Sequence, residues 1–302
     1  MSAPRGPRVG RALGGTNPPV FLESGGEAIE VRMVDASADY GGSIPEYYDT
    51  CLGPAWFDAF GADLTRRLPP RLAGDVLEIA CGTGLVTRRL REHIDPGRRL
   101  FASDISKAML DYARSKLIHY GGIEWREADA TSLPFGGGEF SAVVCAFGVM
   151  FVPDKRAALR EVRRVLKRGG ILLFNVWDRL EENPAAAINA KVVEELFPGD
   201  PEAQFGTPYE MADPEALRQL LSESGFREVR IEKKRIQVDG VSARRIAIGQ
   251  IRGSPRSLLL EKRGASLDDV VDKVAAALGR VGGADPWRGP ANAVVVEART
   301  DG

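Results

Sequence analysis

Cysteine and histidine, the residues most often used for metal sites and covalent cross-links, are scarce in this sequence. The 302 residues include three cysteines and two histidines. Cys51, Cys81 and Cys145 have no C-x-x-C spacing and are odd in number, which argues against a zinc site and against a disulfide framework. We therefore expect no bound metal, and this cysteine usage favours a reducing, cytoplasmic location.

An excess of charge of either sign is also missing. The chain has 41 basic and 42 acidic residues and a formal net charge of -1, so it offers no electrostatic signature of a surface that binds nucleic acid. No apolar run approaches the ~20 residues that a membrane-spanning helix needs, and the N-terminus lacks the apolar core of a signal peptide. The expected partner is a small molecule rather than nucleic acid or a membrane, and the sequence leaves the oligomeric state open.

Periodic hydrophobic pattern is absent at the start of the chain. Residues 1–34 are rich in Gly and Pro and show no sustained period, so we predict a flexible leader there. Residues 35–302 are predicted to form one α/β domain, since such sheets with insertions commonly reach this length.

Short apolar segments alternate with helical patterns through the predicted domain. Helices are expected over residues 85–93, 106–117 and 155–166, another is opened by Asp213-Pro214, and an amphipathic one is expected from Pro54 to the Pro69-Pro70 pair. The predicted strands lie near residues 75–80, 100–103, 123–127, 141–147, 171–177, 229–236 and 293–298. Such alternation indicates βαβ units and a parallel sheet.

Two stretches, at about residues 178–211 and 239–288, fall outside this alternation. The second contains Ser266-Leu267-Asp268-Asp269, a capping-box pattern that predicts a helix ending near Gly279. We expect both insertions to cover the cleft of the sheet.

The run from Val76 to Gly84 is the strongest functional signal. A short apolar strand breaks into a Gly-x-Gly turn at Gly82 and Gly84, where the backbone can approach a ligand, and the helix that follows directs free N–H groups toward it. Glu78 lies within the apolar strand, where a carboxylate needs donors. Thr87 stands where a dinucleotide-binding motif has its third glycine, which disfavours a nicotinamide oxidoreductase.

A second apolar strand ends in a carboxylate twenty residues later. Asp104 follows Leu100–Ser103, a position suited to accepting hydrogen bonds from both hydroxyls of a ribose. The segments Glu127–Phe135 and Phe140–Phe147 follow at the spacing of further βα units.

Together these four segments resemble class I S-adenosylmethionine-dependent methyltransferases, in particular the small-molecule group that includes the ubiquinone/menaquinone C-methyltransferases. The resemblance spans about residues 43–174 and implies a doubly wound, mostly parallel seven-stranded sheet, Rossmann-like, with helical lid insertions. It implies S-adenosyl-L-methionine as cofactor, with Asp104 at the ribose and Asp129 at the adenine amino group. The implied cofactor-binding residues are Tyr48, Glu78, Ala80, Gly82, Gly84, Asp104, Ile105, Met109, Asp129, Ala130, Ala146 and Phe147.

No catalytic residue is identified by the sequence. His93 and His119 do not fall at the carboxyl ends of predicted strands, and methyl transfer from a sulfonium needs alignment and desolvation more than a base. The polar or aromatic candidates for substrate contact are Tyr47, Tyr48, Asn175, Trp177, Asp178, Tyr209 and Glu210. The expected activity is methyl transfer to an O, N or C atom of a small, mildly hydrophobic metabolite; the alternative is a cofactor-binding protein of the same fold that does not methylate, such as a cyclase or a regulatory module.

Overall fold

The computed structural model describes residues 20–24, 27–31, 40–204 and 206–302. The chain divides into a short unit, Met1–Ala36, and a large unit, Ser37–Gly302. In the short unit, β1 (Val20–Ser24) pairs antiparallel with β2 (Glu27–Val31). The sequence predicted a flexible leader here because the segment is rich in glycine and proline. Two short β-forming runs separated by two glycines are, however, typical of a β-hairpin. The other leader residues lie outside the described part of the chain.

Within the described residues, the large unit contains a seven-stranded sheet. Its strands are β3 (Val76–Ile79), β4 (Leu100–Asp104), β5 (Ile123–Glu127), β6 (Phe140–Ala146), β7 (Leu166–Trp177), β8 (Arg227–Val241) and β9 (Trp287–Arg299). The spatial order is β5-β4-β3-β6-β7-β9-β8. Strands β3 to β7 pair in parallel, and β9 is antiparallel to both of its neighbours. The predicted doubly wound, mostly parallel Rossmann-like sheet is confirmed.

Helices cover both faces of this sheet and extend beyond one of its edges. They are α1 (Ile44–Tyr47), a π-helical segment (Tyr48–Phe57), α2 (Asp58–Arg66), α3 (Leu85–His93), α4 (Lys107–Lys116), α5 (Lys155–Val165), α6 (Pro184–Leu196), α7 (Pro201–Gln204), α8 (Pro214–Glu223), α9 (Ala243–Arg252), α10 (Arg256–Lys262) and α11 (Leu267–Gly282).

Strand β6 shows why both faces of the sheet are covered. Successive side chains of a strand point to opposite faces, and Val143 and Cys145 belong to one buried cluster while Ala142 and Val144 belong to another. All four side chains are fully buried. A strand that is apolar on both faces needs a helical layer on each side, which the βαβ crossovers supply.

Side-chain caps begin several of the helices at the predicted residues. Asp213 Oδ1 accepts from the Glu215 backbone N–H at 2.8 Å at the start of α8, and Ser266 Oγ accepts from the Asp269 N–H at 3.3 Å at the start of α11. Each such cap satisfies an N–H group that has no partner within the helix. Helix α3 occupies the residues that the apolar spacing predicted.

The helix expected to begin at Pro54 starts ten residues earlier, so that prediction is wrong. The helical path runs from Ile44 through the π-helical segment into α2, with Pro54 inside it. Proline removes a backbone donor and normally marks a first turn, but the wider turns of a π-helix permit i→i+5 bonds, as from the Asp58 N–H to the Gly53 carbonyl.

The helices of both insertions gather beside the carboxyl edge of the sheet. Strand β8 is parallel to β7 and delivers the chain to α9 at that edge, and α6 begins soon after β7 ends. Helix α9 packs closely on the π-helical segment: a Cβ atom added at Gly249 would lie 2.3 Å from the Leu52 side chain. We call α6, α9, α10 and α11 together with the 3₁₀ turn Thr207–Tyr209 the lid.

The described residues include neither a membrane-spanning helix nor a cluster of metal-ligating side chains. None of the described helices is long and apolar enough to cross a membrane. Over the same part of the chain, no three His, Cys, Asp or Glu side chains come together as a metal site.

Candidate functional site

A crevice is expected where the chain direction across the sheet reverses. From β3 the chain continues outward through β4 and β5, and it then returns to place β6 on the other side of β3. After β3 and β6 the chain therefore continues in opposite directions across the sheet. Open α/β sheets bind ligands at the carboxyl edge beside such a point. Most of the predicted cofactor residues lie on these loops or on those after β4 and β5.

The loop after β3 has an unusual backbone. Ala80, Gly82 and Gly84 have φ angles of 51°, 54° and 75°, all in the left-handed region. A Cβ atom added at Gly82 would meet no atom within 4 Å, whereas one at Gly84 would lie 3.1 Å from the Ala113 Cβ. Gly84 is thus required for packing against α4, while the backbone at Gly82 faces open space. Ala80 is strained, since left-handed geometry costs a residue with a Cβ about 1–2 kcal/mol.

Asp104 ties this loop to the end of β4. Its Oδ2 accepts from the Gly82 backbone N–H at 2.8 Å, and its Oδ1 accepts from the Ser106 N–H at 2.9 Å. Burial raises the pKa of the Asp104 carboxyl, and these backbone N–H groups oppose the shift. Each carboxylate oxygen has a second lone pair, so the carboxylate retains capacity to accept hydrogen bonds from a ligand.

Glu78 is a buried acid next to the same loop. Its side chain is 1% exposed, and its Oε2 has no hydrogen-bond partner among the described residues. Burial raises the Glu78 pKa to about 8; the Thr87 hydroxyl acts against this shift, and the nearby Asp104 adds to it. A buried acceptor without a partner calls for an explanation, and a positively charged ligand group would supply one.

The residues predicted to contact the adenine follow β4 and β5. Ile105 is 45% exposed, unusually so for a large apolar side chain, whereas Met109 in the first turn of α4 is buried. Asp129 is exposed, and its Oδ1 accepts from the Thr131 backbone N–H at 2.8 Å. Ala130 follows it and is half-buried.

The end of β6 is held in place by Asn175 of the neighbouring strand. The Phe147 N–H donates to the Asn175 side-chain Oδ1 at 3.0 Å and to its backbone carbonyl at 3.1 Å. Phe147 has a φ of 54°, and at Gly148 an added Cβ would lie 2.3 Å from the Ala80 Cβ. The two strained loops therefore touch, and the turn after β6 lies against the glycine loop.

An aromatic wall extends from Phe147 toward the lid. The Phe147 and Trp177 ring centroids are 4.4 Å apart, and Phe57 and Phe60 pack edge-on against Phe147 at 5.3 Å and 5.4 Å. Trp177 also lies 6.4 Å from the Tyr209 ring. These rings form an apolar surface directly beside the glycine loop.

A cleft opens between this aromatic wall and the lid. It is lined by Trp56, Trp177, Asn183, Ala185, Ala186 and Tyr209. Pro290 and Ala291 of β9 close it from the other side. Its lining is mostly apolar, and its volume of about 10 Å³ is room for about one water molecule, so a ligand with a hydrophobic body would enter only if the lid moved.

Tyr48 packs against Phe57, which belongs to the aromatic wall. Its ring stacks on Phe57 with 4.8 Å between centroids and 14° between planes. Burial raises the Tyr48 pKa, and so, to a lesser extent, do Tyr40 and Asp104. Burial and the nearby Asp104 also raise the pKa of Tyr40. The sequence did not indicate Tyr40 as a site residue, because it follows a stretch without any periodic pattern. Asp49 instead bonds to Tyr112 and Lys116 of α4.

The remaining candidates are dispersed. Asp178 is buried and pairs with Lys233 at 2.8 Å, Tyr47 contacts the Arg252 guanidinium, and Glu210 is exposed. His93 ends α3, and His119 is exposed after α4. Because α3 and α4 run back from the carboxyl edge, both histidines lie toward the opposite edge of the sheet.

The site is chemically suited to S-adenosylmethionine, which is positively charged at its sulfonium and amino groups. No cation pairs with Glu78 or Asp104 among the described residues, and Asp104 accepts from two backbone N–H groups. The Glu78 Oε2 lacks a partner among the described residues, and the backbone at Gly82 borders open space. Buried carboxyl groups can accept hydrogen bonds from this cofactor, and the exposed backbone at Gly82 leaves room for it.

Among known proteins, those similar in sequence to this chain are methyltransferases. Residues 76–170 match the family described as a methyltransferase domain. The ubiquinone/menaquinone biosynthesis C-methyltransferase of Hahella chejuensis is 41% identical over 106 residues, which are 34% of this chain and 43% of that protein. The chain thus matches less than half the length of this curated relative.

Solved structures show the fold. Phosphoethanolamine N-methyltransferase 2 of Haemonchus contortus, solved with S-adenosyl-L-methionine, superposes with a TM-score of 0.58 at 15% identity, over 91% of this chain and 62% of that one. The cyclase SpnF superposes with a TM-score of 0.51 at 18% identity, over 81% of each chain. At these identities the similarity concerns the fold alone.

The glycine loop, the acidic strand ends and the family match all fall within one segment of the chain. Residues 76–170 therefore match a methyltransferase domain, and this part of the chain is similar to the ubiquinone/menaquinone C-methyltransferases.

Proposed function

We propose that this protein transfers the methyl group of S-adenosylmethionine to a small, mildly hydrophobic metabolite in the cytoplasm. The observation that carries the proposal is the contact between Phe147 and Trp177, with ring centroids 4.4 Å apart. Phe147 borders the glycine loop and Trp177 lines the apolar cleft. A donor site and an acceptor site of different chemistry are thus adjacent at one edge of the sheet.

The residues of the donor site have separate roles in this proposal. Asp104 holds the ribose, Ile105 and Met109 cover the adenine with Asp129 and Ala130 at its edge, and Ala80, Gly82 and Gly84 face the methionine portion. Glu78 and Tyr48 are placed near the charged end of that portion, with Ala146 and Phe147 completing the wall. The support is the clustering of these residues at the carboxyl ends of β3 to β6.

When bound, S-adenosylmethionine supplies an electrophilic methyl group on a sulfonium. The chain's own contribution is alignment and exclusion of water. Trp56 and Trp177 hold the apolar body of the acceptor, and the lid residue Tyr209 covers it from above. Neither histidine lies near this edge of the sheet, so the proposed mechanism uses no histidine base.

Carbon is the acceptor atom that the relatives favour over oxygen or nitrogen, since the Hahella protein is named a C-methyltransferase. The alternative function is cofactor binding without methyl transfer. The cyclase SpnF has the same fold, so the fold by itself does not separate the two. The methyltransferase-domain match favours transfer.

The proposal is tested by incubating the protein with S-adenosylmethionine labelled in its methyl group and a fractionated metabolite extract. We expect label in a small organic product together with S-adenosylhomocysteine. The Gly82→Val variant is the matched control, because a β-branched side chain resists the φ of 54° and would fill the open space at the loop. It should show neither label transfer nor thermal stabilisation by S-adenosylhomocysteine. Stabilisation of the wild type without any label transfer would support the non-methylating alternative.

A further inference from the structure

Arg256, at the start of α10, is a buried cation that has no acidic partner among the described residues. Its side chain is 6% exposed, and one terminal nitrogen donates to the Asn189 side-chain oxygen at 2.8 Å. Its Nε has no hydrogen-bond partner among the described residues. Burial lowers the Arg256 pKa to about 10, so the guanidinium remains charged at neutral pH, and Tyr209 is the one described group that acts against this shift.

This arrangement is costly for the folded protein on its own. A buried charge is stable when it is paired with an opposite charge and its remaining donors are satisfied. Arginine's planar fork of N–H groups matches a carboxylate or phosphate. Asn189 supplies only a neutral amide oxygen, which leaves the charge of Arg256 uncompensated by any described carboxylate.

Arg256 is connected to the cleft through helix α6 and Tyr209. Its partner Asn189 is three and four residues after Ala186 and Ala185 on α6, so all three share one helix face. Both alanines line the cleft. Tyr209, which interacts electrostatically with Arg256, lines it as well.

Two more polar atoms near Arg256 also lack partners. The Gln250 side chain donates to the Ala185 carbonyl at 3.2 Å, on the same face of α6, while its Oε1 is buried without a partner among the described residues. The same holds for the hydroxyl of Ser254, two residues before Arg256. Ser254 and Arg256 thus bring two donors without described partners to the start of the lid helix α10, two residues apart along the chain.

We propose that the methyl acceptor carries a carboxylate and that Arg256, assisted by the Ser254 hydroxyl, binds it at the lid end of the cleft. The apolar body of the acceptor then packs between Trp56 and Trp177, with its reacting atom toward Phe147. This inference rests on the proposed function and adds the charge of the substrate to it. Arg256 acts as a specificity-determining residue and takes no part in the chemical step.

The test compares hydrophobic carboxylic acids with their primary amides on protein saturated with S-adenosylhomocysteine. A panel of matched pairs, aromatic and aliphatic, is titrated by calorimetry. In the wild type we expect the preferred acid to bind at least about tenfold more tightly than its amide, as loss of a charge-assisted hydrogen bond predicts. In Arg256→Met, which replaces the buried charge by an apolar chain, this preference should fall to less than about threefold.

Arg244→Met is the matched control, because Arg244 is an exposed lid arginine of α9 that pairs with Asp272. It should retain the wild-type preference for the acid. A panel in which no acid binds the wild type more tightly than its amide would overturn the proposal, and that comparison does not depend on any variant folding. Retention of the preference in Arg256→Met would overturn it too. Thermal stabilisation of the protein by S-adenosylhomocysteine, without any acid, tests the cofactor site. If this stabilisation did not occur, the proposed function would be contradicted, and not only the proposal for Arg256.

Discussion

At the scale of single residues, Asp104 is expected to decide cofactor affinity. Hydrogen bonds to a carboxylate contribute about 1.5–3 kcal/mol each, and Asp104 also positions the Gly82 N–H. We predict that Asp104→Ala lowers the affinity for S-adenosylhomocysteine at least about tenfold, measured by calorimetry. Asp111→Ala, which removes an exposed acid of α4 paired with Lys107, should leave the affinity unchanged. Wild-type affinity in a folded Asp104→Ala protein would show that the ribose lies elsewhere.

Glu78 is expected to make stability depend on pH in the ligand-free protein. Its folded pKa of about 8 lies above its ordinary value of 4.5. Between these values the folded state holds a proton that the unfolded state has released, so the free energy of unfolding falls as pH rises, by up to about 1.4 kcal/mol per pH unit. The contribution is fully present below the unfolded pKa and is lost as pH rises through the folded pKa.

We predict that Glu78→Gln makes this decline shallower, as measured by urea unfolding at several values between about pH 5 and pH 8. Asp104 contributes a slope of the same sign, because burial raises its pKa as well, so the difference between wild type and variant isolates Glu78. Replacement of the exposed Glu127 by Gln should leave the slope as in the wild type. Identical slopes for wild type and Glu78→Gln would mean that Glu78 is ionised in the folded state.

At the scale of secondary-structure elements, the lid is expected to control turnover. Tyr209 is in the 3₁₀ turn of the lid with its ring 6.4 Å from that of Trp177, and Tyr48 stacks on Phe57 in the π-helical segment. Both rings exclude water from the space between donor and acceptor. We predict that Tyr48→Ala and Tyr209→Ala lower kcat/KM for the product found by label transfer by more than about tenfold. His119→Ala is the control and should have little effect, since His119 is exposed toward the opposite edge of the sheet. Loss of transfer in His119→Ala or His93→Ala, with folding and cofactor affinity intact, would contradict the mechanism based on alignment.

At the scale of the whole molecule, one domain architecture accommodates two kinds of ligand surface. The parallel strands β3 to β6 supply backbone and carboxylates for a polar, cationic cofactor. The lid, inserted after β7 and between β8 and β9, supplies rings, alanines and a buried arginine. In the proposed function, the strands therefore carry the donor surface and the insertions carry the acceptor surface.

The sequence by itself was sufficient for the strands of the sheet and for several of its helices, and its resemblance to a known family indicated the cofactor. Strand and helix periodicity are local properties, and the glycine loop and Asp104 carry their chemistry wherever a parallel strand ends. Helix α3 and the caps at Asp213 and Ser266 were predicted to the residue for the same reason.

Only the tertiary structure determined the π-helical continuation through Pro54 and the positions of Tyr40 and Arg256. Arg256 is one of many arginines in the sequence, and nothing in its neighbourhood along the chain distinguishes it. Its importance comes from burial against Asn189, 67 residues away. Local pattern determines which elements form, whereas burial and the pairing of charges depend on contacts between distant segments, and those exist only once the lid has packed on the sheet.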